Sequence, residues 1–274
     1  MRILLSFCLC LVGLTTLVKA QSTPENDLKL YMIDCGSIHF ADLDPFSTEG
    51  DYAGTSSTFA ATCYLIRHKD GDLLWDIGLP LPLLGNEPKA DDSMTPILKE
   101  TIVDQLARIN VTPDDIEYLS ISHSDWDHTG QITHFTSPTW LVSKKEHDYM
   151  FSTDESAAYN AAFKGLNKQI FEKDYDVFGD GSVMILATPG HTPGHTVLQV
   201  MLEETGPVLI SGDLYHQAKS RELKRVPRFN FDKPQTEESM KRFEAIAKKM
   251  NARVIIQHEQ IDINQIPKIP AYLK

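Results

Sequence analysis

The chain has 274 residues, 42% of them hydrophobic and 23% charged, a balance that suits a soluble globular protein with a sizeable core. Its net charge of −12 at neutral pH, with no basic run to relieve it, argues against nucleic acid or an anionic membrane as partner.

The first twenty residues stand apart. Met1 and Arg2 precede an uncharged apolar run over 3–18 that closes on Val18-Lys19-Ala20, with small residues where a signal peptidase reads them. The run is short for a membrane span. We therefore expect residues 1–20 to be a cleaved export signal and 21–274 a single mature domain, periplasmic or secreted, with no stable membrane association after cleavage. Removing Arg2 and Lys19 takes the net charge from −12 to −14. Cys8 and Cys10 leave with the signal, while Cys35 and Cys63 remain, on segments expected to be neighbouring antiparallel strands. In an oxidising compartment they can pair; otherwise both are small buried hydrophobes.

Strand-like runs follow at 28–34, 60–68 and 71–78, the last two joined by Lys69-Asp70-Gly71 as a tight hairpin. The loop 41–59 between them, rich in Asp, Ser, Thr and Gly, reads as too polar for core and as a cover over a substrate. A helix is expected over 95–109, with Leu98, Ile102, Leu106 and Ile109 on one face, Thr95 as N-cap and Pro96 at the first helical position. A buried strand spans 116–123, then a strand and helix lie in 139–150, and 155–168 reads as a helical insertion. Strands at 182–188, 195–202 and 207–213 precede a helix at 235–250 and a last strand at 252–258. Strands and helices repeated in this way predict two packed sheets with helices outside, an α/β fold in four αββα layers.

One regularity points to chemistry. His123 follows "YLSIS", His191 follows "MILATPG", Asp213 follows "VLISG" and His258 follows "RVIIQ", so several strands deliver histidine or aspartate to a common sheet edge. Asp125, Asp127 and His128 crowd beside His123, and such a set repels itself unless cations lie between its members. Glycines in "TPGHTPGH" allow the sharp turn that aims His191 inward, and His195 reads as a supporting residue.

The motifs "HSDWDH", "TPGHTPGH", "SGD" and the late "QH" resemble the metallo-β-lactamase superfamily, and "CYLIRHKDGDLLWDIGLP" together with "HTPGHTVLQVMLEETGPVLISGDLYH" resembles N-acyl-homoserine lactonases. The resemblance spans roughly 28–260. It implies the metallo-β-lactamase fold and two divalent cations, one held by His123, Asp125 and His191, the other by Asp127, His128 and His258, with Asp213 bridging them. Asp125 departs from the family pattern, which has histidine there. An anionic oxygen in place of an imidazole favours harder ions, so zinc is expected overall, with iron or manganese an option at the Asp125 pocket. Two close cations acidify a shared water toward ~7, and the hydroxide attacks a lactone, ester or thioester carbonyl. Asp127 is expected to carry the proton and Tyr215 to support the oxyanion, with His216, at the lactonase tyrosine position, as its rival. Leu79, Leu81, Leu83, Phe40, Phe46, Trp126, Phe229 and Phe231 are candidates for an acyl-chain wall.

The leading expectation is thus a dinuclear metal-dependent hydrolase acting on a small lactone of the N-acyl-homoserine type. A β-lactamase or thioesterase of the same fold is the alternative. An iron-dependent redox protein and a non-catalytic metal binder rank below both.

Overall fold

The computed structural model describes residues 27–87 and 92–274, so the expected export signal lies outside the described residues. In chain order the strands are β1 (Lys29–Phe40), β2 (Ser57–His68), β3 (Gly71–Trp75), β4 (Met94–Ile97), β5 (Tyr118–Ser120), β6 (Thr139–Ser143), β7 (Lys168–Phe171), β8 (Tyr175–Asp176), β9 (Val183–Ala187), β10 (Thr196–Leu202), β11 (Gly206–Ile210) and β12 (Arg253–Ile255). The helices are α1 (Ile102–Ala107), α2 (Trp126–Thr129), α3 (Lys144–Met150), α4 (Asp154–Tyr159), α5 (Ala218–Leu223), α6 (Lys233–Met250) and α7 (Gln260–Ile263).

Two sheets form. One has seven strands in the order β4-β1-β2-β3-β5-β6-β7, the other five in the order β12-β11-β10-β9-β8. Their facing sides share a buried apolar core that includes Leu30, Tyr64, Trp75 and Leu141 from the first sheet and Val183, Leu198, Val208 and Ile255 from the second. The outer face of the first sheet is covered by Ile102 and Leu106 of α1, that of the second by Met240, Phe243 and Ala247 of α6. The αββα sandwich read from the sequence is the architecture observed. Among the described residues no helix is long and apolar enough to cross a membrane.

The β2–β3 hairpin pairs His68 with Gly71 across a turn of Lys69 and Asp70. Cys35 and Cys63 form a disulfide between β1 and β2, with both residues fully buried.

Three expectations need correction. Residues 94–97 form a strand, with Ser37 opposite Ile97 and His39 opposite Thr95 on β1, and the helix starts only at Ile102. Its real cap is Thr101, whose hydroxyl accepts from the Asp104 amide; pairing with β1 overrides the local cap signal at Thr95-Pro96. The helical insertion breaks after α4 into a short 3₁₀ turn at Ala161–Gly165 and the edge strand β7. The polar loop hides a small core of its own, where Leu43, Phe46 and Tyr52 pack on Phe59. Arg225 and Arg228 tie that loop down through ion pairs to Asp51 and Asp44.

Candidate metal centre

The predicted donors arrive at one end of the sandwich because each follows a strand. His123 lies three residues past β5, and Asp125 stands just before α2, a single turn that carries Asp127 and His128. Asp213 sits in a 3₁₀ turn after β11, and His258 follows β12. His191 is turned inward by Gly190, whose φ of +136° is open to glycine. A Cβ on Gly190 would lie 2.3 Å from the Thr236 amide nitrogen, so the turn also needs glycine for space.

The side chains converge in two groups. Ligand atoms of His123, Asp125, His191 and Asp213 all lie within 4.8 Å of one another, as do those of Asp127, His128 and His258. Asp213 faces both. Its Oδ2 lies 3.7 Å from His123 Nε2 and 3.6 Å from His191 Nε2, while Oδ1 lies 3.2 Å from His128 Nε2 and 2.8 Å from His258 Nε2. Asp125 Oδ2 is 3.4 Å from His123 Nε2 and 3.3 Å from His191 Nε2.

Divalent cations fit this arrangement. All four histidines present Nε2 to the centre and anchor Nδ1 behind it. His123 Nδ1 meets Ser122 Oγ, His128 Nδ1 meets Asp76, His191 Nδ1 meets Asn230 Oδ1, and His258 Nδ1 meets the Ala60 carbonyl. Anchoring the far nitrogen fixes tautomer and ring direction, as metal-ligating histidines require. His128 Nε2 and His258 Nε2 point at each other across 3.3 Å. The buried His123 Nε2 and Asp213 Oδ1 make no well-formed hydrogen bond. Such orphaned buried atoms are costly unless a cation is their partner.

The charges reinforce one another. Burial disfavours the imidazolium of His128, but Asp213, Asp76 and Asp127 outweigh it and raise its pKa well above the ordinary value. His191 and His258 are raised in the same way, against burial, by Asp125 and Asp213 for the first and by Asp213 and Asp127 for the second. Burial likewise opposes ionisation of Asp125 and Asp213, yet neighbouring imidazoles hold both carboxyls well below the usual range. Cations must therefore displace protons from histidines. Cation affinity should fall as pH drops through the raised histidine pKa values, with protons released on binding. Titration calorimetry in two buffers of different ionisation enthalpy would check this; a heat independent of buffer would contradict it.

Supporting residues complete the centre. His195 is kept neutral by burial and by the neighbouring His123 and His191, and its Nε2 accepts the Asp213 amide at 3.0 Å. Sequence reasoning missed Asp76, which is fully buried after β3. Its carboxylate accepts from the Ser122 amide and hydroxyl, from His128 Nδ1 and from Gln257 Nε2. The strand-end rule that found the other donors applies equally to "LLWDIG" and would have found this one.

Tyr215 does not reach the site. The backbone is extended there (φ −141°, ψ 128°), so Tyr215 and His216 point to opposite sides. The Tyr215 hydroxyl donates to Glu244 behind the second sheet, 3.1 Å away, beside Phe243. His216 is the one that borders the donors, with Nε2 3.0 Å from Asp213 Oδ2 and its ring stacked on His258.

A cavity of about 430 Å³ opens beside Asp125, Asp127, Asp213 and His258. Its apolar wall comes from Ile38, Phe40, Phe46, Phe59, Met94 and Phe229, with Trp126 at the metal end. Phe40, Phe46, Trp126 and Phe229 thus stand where a wall was expected. Leu79 is instead core, Leu81 and Leu83 lie outside the cavity, and Phe231 meets Tyr149 edge to face at the surface. A larger cavity of about 810 Å³, between α5 and α6, holds none of the donors.

Residues 57–258 match the family model of the metallo-beta-lactamase superfamily. The chain belongs to that superfamily and is a metal-dependent hydrolase. It is similar to the N-acyl homoserine lactonase AttM of Azorhizobium caulinodans, at 27% identity over 262 residues, covering 90% of this chain and 98% of the relative. The N-acyl homoserine lactonase AiiA of Bacillus thuringiensis subsp. kurstaki is 30% identical over 253 residues, covering 89% and 98%. A solved structure of N-acyl homoserine lactone hydrolase, with the product N-hexanoyl-L-homoserine at its catalytic metal centre, superposes with a TM-score of 0.77 at 28% identity. That match covers 89% of this chain and 98% of the other.

Proposed function

We propose that this protein opens the ring of N-acyl-homoserine-type lactones, using two divalent cations shared through Asp213. The observation that carries the reading is the two-sided carboxylate of Asp213, one oxygen toward each donor group, beside an apolar cavity. Its likeness along nearly the whole chain to lactonases supports the choice of substrate.

His123, Asp125 and His191 would hold one cation and Asp127, His128 and His258 the other. Bound there, divalent cations polarise a carbonyl and acidify water at neutral pH. The remaining work belongs to the chain. Asp127 lines the cavity, and its Oδ2, 3.8 Å from His128 Nε2 and from His258 Nε2, takes the proton of the attacking water and returns it to the leaving oxygen. His216 takes the oxyanion-supporting role first assigned to Tyr215, since it alone of the pair borders the cavity. Phe46, Phe59 and Phe229 exclude water around the acyl chain. Each set offers two histidines and one aspartate; zinc is the ion expected overall, with iron or manganese an option at the Asp125 pocket. Export to a periplasmic or extracellular compartment is part of this reading, and the Cys35–Cys63 bridge supports it.

Metal analysis of the purified protein alongside a lactone panel tests the proposal. About two metal equivalents are expected. Each buried methylene contributes up to about 0.8 kcal/mol, so four further acyl carbons should raise kcat/KM by tens-fold up to about two hundredfold. A flat chain-length profile would show that the apolar wall does not read the acyl tail. Rapid β-lactam turnover with no lactone cleavage would overturn the assignment.

A further inference from the structure

Glu146, on α3, is 2% exposed and belongs to no donor group. One carboxylate oxygen accepts from the Ser124 amide at 2.8 Å and the Ser124 hydroxyl at 2.7 Å. The other accepts from the Thr192 hydroxyl at 2.7 Å and the Gly194 amide at 2.9 Å. Ser124 stands between His123 and Asp125 in the chain, and Thr192 follows His191. Gly194 precedes His195, which holds the Asp213 amide. A single buried carboxylate thus joins the two loops that carry the donors of one group, one loop from each sheet.

The junction is close-packed. A Cβ on Gly194 would lie 2.1 Å from the Glu146 amide nitrogen and 2.3 Å from Ser143 Oγ, and Ser143 Oγ itself donates to the Gly194 carbonyl at 2.8 Å. Helix α3 therefore seats directly on the His191 loop. Asp76 braces the Asp127, His128 and His258 group through His128 and Gln257, and through Ser122 it also backs His123, whereas Glu146 touches only the loops of His123, Asp125 and His191.

We propose that Glu146 is a positioning residue that sets the spacing of His123, Asp125 and His191, and so governs retention of one cation of the pair and not the other. This rests on the two-cation reading above. A carboxylate with every acceptor position filled is a rigid spacer, and partners that orient metal ligands typically change affinity 10–100-fold when altered. Glutamine at this position keeps the size but turns an amide donor toward hydrogens of Ser124 or Gly194, which breaks the pattern on one loop.

The test uses zinc-loaded protein and follows zinc release to a chromogenic chelator, with the melting temperature of the metal-free form as a second measurement. In Glu146→Gln one zinc equivalent should leave roughly 10–100-fold faster than in the parent while the other keeps its rate. Asp148→Asn, on the exposed side of the same helix, should release both at the parental rates. Unchanged release of both ions from Glu146→Gln would overturn the inference. So would equal acceleration of both with a lower melting temperature, because that is the signature of general loosening. A parent protein that binds fewer than two zinc ions would refute the two-cation reading itself, and this inference with it.

Discussion

Replacing Asp213 with alanine should remove both cations together and lower kcat/KM by roughly a thousandfold or more, the equivalent of the several kcal/mol of charge stabilisation that bound cations supply. The magnitude follows from position. Asp213 is the donor whose two oxygens face different groups, and it is the carboxylate that most strongly favours the charged forms of both His128 and His258. Without it, those imidazoles lose the strongest of the carboxylates that offset their burial, and each group loses its shared anion. The fold should survive, because what His195 holds is the Asp213 backbone amide. Metal content and lactone hydrolysis measured on the same preparation check the result. Two tightly held ions in Asp213→Ala would defeat the shared-ligand arrangement.

Serine at both Cys35 and Cys63 should lower the free energy of unfolding by about 3 to 4 kcal/mol, the chain-entropy value for a loop of this size. The bridge spans a sequence separation of 28 residues and joins β1 to β2, the longest strand pair of the first sheet. Its neighbour is Gly78, where a Cβ would lie 2.4 Å from that of Cys35; the Gly78 carbonyl accepts from the Gly130 amide just past α2. The bridge therefore also underlies the segment that carries Asp127 and His128. Urea denaturation of parent and double variant gives the difference. Thiol labelling of the unfolded, unreduced mature protein should find no free thiol, and two free thiols would show that the bridge does not form.

Much of the architecture and most of the donor set could be read from residue order. Histidine or aspartate at the end of an apolar strand is a local pattern, and strand ends gather at one sheet edge. That is why His123, His191, Asp213 and His258 could be found without coordinates. Features set by tertiary pairing were not legible. Thr95-Pro96 carries a good helix-start signal, but β1 offers those residues a strand partner. Tyr215 and His216 are adjacent in sequence, and only backbone direction after the Asp213 turn decides which one faces the donors. Glu146 reads as an ordinary acid until its burial and its four hydrogen-bond donors become visible. The apolar wall gathers Ile38, Phe59 and Met94 from β1, β2 and β4, whose closeness is a matter of topology.

The division of donors between the sheets has a consequence for how long the protein lasts. His123, Asp125, Asp127 and His128 follow the first sheet, while His191, Asp213 and His258 follow the second. Neither half carries all the donors of either group. A bound ion is then a rivet through both layers, and the layers cannot part without giving it up. In surroundings that scavenge metals, the working lifetime of such a protein would be set by how often the sandwich breathes open at that edge, well before the chain unfolds.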